Sequence, residues 1–360
     1  MKKLFDYKMK LSETLPDSFS KALSLLNHDL PEIYPGTKVT PLSIDTRENS
    51  TILRAKWDQQ KMEGFLLIKQ YAITGDISSG HFHDAAKQIL EGRLRKEFEV
   101  SRRLFKLFEE SPYLFVSHPL ASYPELLILV IEEYPGEDLS KILRRQARFS
   151  PSDDTIEYLE GLCRMCGEWI KLHHEKTVVP GGSDSSYLDD FPDYIDERLR
   201  PLTTSPSIPI DESFRAHILQ YLVEKIESVD AKSRQTVDAH GDFAPGNVLV
   251  DGSKLVVIDL DQYGPGTLLQ DLSRFYHQLE MYLCNPMFRP KVIAGLQRAL
   301  IDGYDSNLRI DDPLFELMLV KHTVCHLAGL AKLSSAPAYQ RWYNARIVKK
   351  HMGFLKRTCL

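Results

Sequence analysis

The sequence predicts an α+β fold in two lobes: a β-rich N-terminal lobe over residues 1–133 and a mainly helical C-terminal lobe over 134–360. Three observations carry this. Short alternating, β-branched segments concentrate before residue 132, long stretches with helical spacing of apolar residues dominate after 150, and a Pro135-Gly136 turn stands between them. The 360-residue chain, with 43% hydrophobic and 26% charged residues, has the composition of a globular protein with enough chain to bury a large core.

In the first lobe, a polar entry with a short helix around Ser18 to Leu26 precedes the strand-like segments Lys38 to Ile44, Thr51 to Trp57 and Phe65 to Lys69. A helix is expected from about Asp84 to Phe108, because Leu94, Phe98, Leu104 and Phe105 recur at helical spacing. Leu126 to Ile131 reads as a buried strand. Beyond the turn, Thr155 to His174 is periodic and helical, a Gly/Ser/Asp/Pro-rich loop spans Val179 to Pro192, and helices return at Tyr194 to Leu199 and Phe214 to Ile226. Val248 to Val250 and Leu255 to Ile258 flank Asp251-Gly252 as a hairpin, and 271–360 reads as helices.

Charge and composition exclude several classes. Lys plus Arg (45) against Asp plus Glu (50) gives a net charge of -5, which argues against a generally basic nucleic-acid binder. The longest apolar run, Leu126 to Ile131, has six residues, so no membrane span is expected. Met1 to Asp6 carries the basic residues of a leader without its apolar stretch, and five cysteines lack framework spacing; a reducing, cytoplasmic setting is the expectation.

The densest chemistry lies in His240-Gly241-Asp242-Phe243-Ala244-Pro245-Gly246-Asn247, followed by the hairpin and then by Asp259-Leu260-Asp261. A two-stranded ribbon brings its outer ends together, so Asn247 and Asp259 are expected as neighbours. An amide oxygen and a carboxylate make a hard oxygen site suited to Mg²⁺. Asp242, not needed for the metal, is left to accept a proton from a substrate hydroxyl. Singly, each of these residues would read as a loop cap or a turn; it is the spacing that points to chemistry.

This run resembles the catalytic loop and metal-binding segment of the aminoglycoside phosphotransferase/choline kinase superfamily, whose fold is protein-kinase-like. Gly241 stands where protein kinases carry arginine, and Asp259-Leu260-Asp261 replaces their Asp-Phe-Gly, both as in the small-molecule branch. The resemblance extends over roughly 40–330. It implies an ATP-dependent phosphotransferase, with GTP as the alternative donor, that acts with Mg²⁺ on a hydroxyl of a small molecule such as an amino sugar, a sugar or glycan intermediate, or a choline-like alcohol.

Residue by residue, the resemblance makes Asp242 the catalytic base, Asn247 and Asp259 the metal ligands, and Lys69, ending an apolar strand, the holder of the nucleotide phosphates. Glu97 becomes the partner of Lys69, since it shares a helix face with Val100 and Leu104; Glu99, offset by two residues, is the alternative. Ile131 to Leu139, with Glu133 and Tyr134, matches the hinge that offers backbone groups to an adenine edge. Asp271 matches the residue that braces the catalytic loop, and His240 its buried scaffold. Ser43 to Thr51 stands where protein kinases carry a glycine-rich loop but has no glycine.

The acids Asp184, Asp189, Asp190, Asp193, Asp196 and Glu197 read either as a solvated surface or, through Asp189 and Asp190, as a floor for a cationic acceptor. Two rivals are an atypical protein kinase and an inactive nucleotide-binding module of the same fold. Against the first, only eleven residues separate Asp259 from Asp271, too few for a peptide platform. Against the second, base, metal and lysine positions are all filled. Cys163 and Cys166 read as helix core rather than half of a metal site, His81 and His83 as a polar loop, and His173-His174 as a cationic helix end suited to the dipole.

Overall fold

A computed structural model describes residues 15–33, 37–46, 50–59, 62–72, 80–177, 186–331 and 338–360. The chain divides into two compact units, Met1–Glu137 with Leu249–Gln262, and Asp138–Val248 with Tyr263–Leu360. The segment that follows Asn247 and contains Asp259 therefore groups with the N-terminal unit.

In chain order the elements are α1 (Asp17–Ile33), β1 (Lys38–Thr46), β2 (Ser50–Gln59), β3 (Met62–Tyr71), α2 (Gly80–Phe108), β4 (Leu114–Val116), β5 (Pro119–Tyr123), β6 (Ile128–Glu132) and the two-residue β7 (Glu137–Asp138). There follow α3 (Leu139–Gln146), α4 (Asp153–Thr177), α5 (Ser186–Asp189), α6 (Phe191–Thr203) and α7 (Glu212–Glu227). After these come β8 (Thr236–Ala239), β9 (Val248–Asp251), β10 (Lys254–Val257), β11 (Gly264–Thr267), α8 (Gln270–Met281), α9 (Pro290–Tyr304), α10 (Pro313–Ala331) and α11 (Ala338–Cys359). The mixed α+β class expected from the sequence is the class observed.

The first unit is built on a five-stranded sheet of order β1-β2-β3-β6-β5. Its pleat sends Leu66 and Ile68 of β3 into a core with Leu53 and Ala55 of β2 and Val130 of β6, closed by Phe19, Ala22 and Leu26 of α1. Alternation then puts Phe65, Leu67 and Lys69 on the other face. The α2 stripe Leu94, Glu97, Ser101, Leu104 and Phe108 is buried, so a carboxylate sits within a mainly apolar row. In the second sheet β10 lies between β4 and β9, pairing with β4 in parallel through Leu255–Leu114 and Val257–Val116. Gly252 turns the β9–β10 hairpin at φ +57.

The described residues of the second unit are mainly helical, with an antiparallel β8–β11 ribbon. α4 and α9 approach through glycines: a Cβ on Gly167 would lie 2.1 Å from the Leu300 carbonyl oxygen, and one on Gly303 would lie 2.1 Å from that of Arg164. α10 is long and apolar enough to cross a membrane, yet 56% of that window is buried within the protein. It is apolar around its circumference because other helices surround it. Its buried Lys321 is satisfied by the Tyr187 hydroxyl at 2.6 Å and Gln270 Oε1 at 2.9 Å.

Two expectations fail: the loop expected over Val179 to Pro192 holds α5 and the start of α6, and the histidine pair has a different role. His173 and His174 are not a cationic helix end: α4 runs on to Thr177, both rings are buried, and burial pushes His174 down to about 4. His173 instead stacks on Trp169 and bonds the Tyr263 hydroxyl at 3.0 Å. Cys163 and Cys166 are buried core residues whose thiols burial pushes up.

Candidate active site

In the first unit, β3 and α2 bring Lys69 beside Glu97. The ammonium lies 4.0 Å from the Glu97 carboxylate and 2.7 Å from Asp259 Oδ1, and its Nζ stands 4.7 Å from the centre of the Tyr71 ring. Burial pulls the Lys69 pKa down, but Glu97, Asp259 and Asp261 outweigh it and hold it above the ordinary value. Burial pushes Glu97 up to about 7, against the opposing pull of Lys69 and of a hydrogen bond donated by Tyr71. Glu99 points away, with its side chain 68% exposed near Arg102. Asp259 follows β10 at φ +67, a left-handed conformation that costs a non-glycine residue and that Asp tolerates better than most. Its neighbour Asp261 is tied to Arg93 at 2.7 Å.

Glu133 and Tyr134 leave β6 along the same sheet. The Glu133 N–H is already given to the Phe65 carbonyl at 2.8 Å, and its carboxylate accepts from Arg54 Nε at 2.5 Å. The Tyr134 hydroxyl is buried with no hydrogen-bond partner among the described residues. Residues 47–49 of the Ser43 to Thr51 stretch, the side chains of His81 and His83, and Asp184 lie outside what the structure describes.

In the second unit, Gly241 adopts φ +85, which lets the chain turn sharply between buried His240 and Asp242. The buried Asp271 carboxylate accepts the His240 N–H at 2.6 Å and the Gly241 N–H at 3.0 Å. Phe243 packs on Trp169 with ring centres 5.2 Å apart, anchoring the far side of the loop. Asn247 donates its amide to the Asp242 carbonyl at 2.9 Å, which leaves its own carbonyl oxygen as the free end of the side chain. Arg274, three residues beyond Asp271 on α8, donates Nε and Nη2 to Asp242 Oδ1 at 3.0 and 2.8 Å. Among the described residues the other carboxylate oxygen has only a long 3.4 Å contact with Asn247.

Asp242 and Asn247 line a pocket of about 360 Å³ with Ser140, Arg144, Arg274 and Tyr343. Asp138 caps α3 by accepting the Ser140 and Lys141 N–H groups at 2.7 and 3.3 Å, so Ser140 and Arg144 stand one turn apart on the pocket wall. Asp189 and Asp190 are exposed and are not part of this wall; Asp196 is buried and held by Arg200 and Arg215. Each of the expected metal ligands offers oxygen, a carboxylate on Asp259 and an amide carbonyl on Asn247. That is the donor type a hard divalent cation takes.

Arg274 was missed at the level of sequence. The signal was there: it lies one helical turn after Asp271 and so faces the same loop. Arg93 and Tyr71 had no such signal.

A family model for a phosphotransferase enzyme family matches residues 92–307, more than half of the chain. No curated protein sequence matches. Among solved structures, a choline kinase from Cryptosporidium parvum Iowa II is 13% identical with a TM-score of 0.54, covering 94% of this chain and 96% of its own. A choline kinase from Streptococcus pneumoniae is 11% identical with a TM-score of 0.53, covering 94% and 99%. An ADP-bound aminoglycoside phosphotransferase is 12% identical with a TM-score of 0.50, covering 94% and 99%. These likenesses show a protein-kinase-like fold.

Proposed function

We propose, from the premise that the chain belongs to this phosphotransferase enzyme family, that it transfers the γ-phosphate of ATP to a hydroxyl of a small molecule. Asp242 carries the reading. One of its oxygens is held by two N–H donors of Arg274, and the residue stands on the wall of a pocket sized for a small acceptor. Its second oxygen is in position to orient an acceptor hydroxyl and take its proton. Lys69, held by Glu97, would grip the nucleotide phosphates. Asn247 and Asp259 would hold Mg²⁺, which when bound neutralises phosphate charge. The hinge at Glu133 and Tyr134 would border the base; with the Glu133 N–H already in the sheet, GTP stays open as a donor.

The pocket also bears on the acceptor. Arg144 and Arg274 against Asp242 leave its charged wall with one net positive charge. That favours an acceptor carrying an anionic group over the cationic one that a floor of Asp189 and Asp190 would recruit.

The deciding experiment is Asp242→Asn, assayed for nucleotide turnover with Mg²⁺ against a panel of small hydroxyl compounds. Loss of general-base help is expected to lower kcat by about 10² to 10⁴, while affinity for a non-hydrolysable ATP analogue stays within about twofold of wild type. Near wild-type kcat on the best acceptor would remove the role given to Asp242. Efficient phosphorylation of a folded protein, with no small acceptor found, would sink the small-molecule reading.

A further inference from the structure

Three histidines from three helices converge outside the pocket that Asp242 lines: His277 on α8, His326 on α10 and His351 on α11. Their ligand nitrogens all lie within 4.8 Å of one another. The rings are in mutual contact, with centres 5.2 Å apart for His277 and His351, 5.8 Å for His277 and His326, and 4.9 Å for His326 and His351. We propose that these three imidazoles form a binding site for a nitrogen-preferring transition metal of the zinc class, which clamps α8, α10 and α11 together.

Four observations support it. First, His277 is 4% exposed and both of its ring nitrogens lack a hydrogen-bond partner among the described residues. Buried polar atoms are rarely left so, and such a group calls for an unseen partner. Coordination would supply one. Second, the one polar contact within the trio, His351 Nε2 to His326 Nδ1 at 3.0 Å, already brings two donor atoms to the spacing that a shared ion imposes. Zinc–nitrogen bonds of about 2.0–2.1 Å place tetrahedral donors about 3.3 Å apart, so the widest separation has to close by only about 1.5 Å.

Third, burial keeps all three rings neutral near pH 7, which is the form that ligates. Fourth, the cations nearby are already paired. Arg274 is committed to Asp242 at 2.8 Å and Lys350 to Glu280 at 2.5 Å, so neither presents an uncompensated charge to an incoming ion. His326 is only partly buried and offers the way in, while His351 is 1% exposed.

Three neutral donors leave the ion its full charge and a fourth position for water or a small anion. Hard Mg²⁺, which prefers oxygen, would not compete for this donor set. The site would also bear on the reaction centre through one rigid element. His277 lies one turn beyond Arg274, on the helix whose first turn holds the Asp242 loop through Asp271.

The test uses full-length protein without a polyhistidine tag, kept in millimolar Mg²⁺ so that hard oxygen sites are filled. Co²⁺ is titrated as a spectroscopic stand-in for zinc, and retained Zn²⁺ is counted by elemental analysis after gel filtration. Wild type is expected to take one equivalent of Co²⁺ with the intense visible bands of a tetrahedral nitrogen site. His326→Ala, the least buried position and so the variant safest for folding, is expected to lose those bands and bind at least about tenfold more weakly. His351→Gln, checked for folding by circular dichroism, should do the same. Zinc should raise the Tm of wild type and leave that of His326→Ala unmoved. No retained metal in wild type, or equal stoichiometry and spectra in wild type and His326→Ala, would overturn the site.

Discussion

At Glu97 a charged group has been buried to serve another. Its pKa lies near 7 because burial disfavours the carboxylate more than Lys69 restores it. The consequence for stability has a definite sign. A carboxyl whose folded pKa is raised binds its proton more tightly when folded, so its contribution is fully present below the unfolded value of about 4.5 and is lost as pH rises towards 7. Glu97→Gln removes that titration. The Tm of the variant minus that of wild type is therefore expected to increase from pH 5 to pH 7 and then level off, as read by thermal melts in a series of buffers. A constant difference would mean that Glu97 is ionised throughout, with Lys69 matching it fully. Nucleotide affinity of the same variant should fall, because Lys69 would lose the partner that sets its position. Part of this residue-level geometry had a signal in the sequence: helical spacing puts Glu97, and not Glu99, on the face of Val100 and Leu104. The anchoring by Arg274 and Tyr71 was not readable, because no short-range pattern says which polar residue a carboxylate will choose in three dimensions.

Among the elements, α4 and α9 are the pair most dependent on absent side chains. At Gly167 a Cβ would meet backbone atoms of Leu300, Gly303 and Tyr304 at 2.1 to 3.0 Å, and backbone cannot swing aside as a flexible side chain does. Gly167→Ala is expected to push the helices apart at a cost of about 1–3 kcal/mol. Gly161, six residues earlier on the same helix, is exposed with nothing within 4 Å of its missing Cβ. Gly161→Ala should be neutral or stabilising by up to about 1 kcal/mol through helix propensity. Urea melts of the two variants should move in opposite directions, and equal effects would show that propensity rather than close approach governs this helix. The long elements were legible because periodicity accumulates over many residues, and the β9–β10 hairpin because Asp251-Gly252 announces its turn. The short strands β4, β5, β8 and β11 were not foreseen. β4 has three residues and pairs in parallel with β10, nearly 140 positions later, while β11 is Gly264-Pro265-Gly266-Thr267, a composition that reads as a turn until β8 lies beside it.

Across the molecule, charge and the pocket pull in different directions, and this bears on what the enzyme phosphorylates. The chain as a whole is negative at -5, yet the wall beside Asp242 carries Arg144 and Arg274. Arg274 is held by Asp242, whereas Arg144 hydrogen-bonds Ser140 of its own helix turn, an exposed interaction that an incoming anion can replace. Exposed charges act over about 8 Å at physiological ionic strength and less as salt is added. An acceptor bearing phosphate or carboxylate should therefore show a KM that rises with salt, by about threefold or more between 25 and 250 mM, since a single charge-assisted contact contributes on the order of 1 kcal/mol. In Arg144→Gln the KM should start high and respond little to salt, with kcat nearly unchanged because Asp242 and Arg274 remain. The double variant Asp189→Asn, Asp190→Asn should follow wild type. A cationic acceptor reverses the pattern, with the double variant losing affinity and salt response together while Arg144→Gln keeps both. A KM indifferent to salt in all three proteins would leave a neutral polyol as the acceptor and remove Arg144 from substrate recognition.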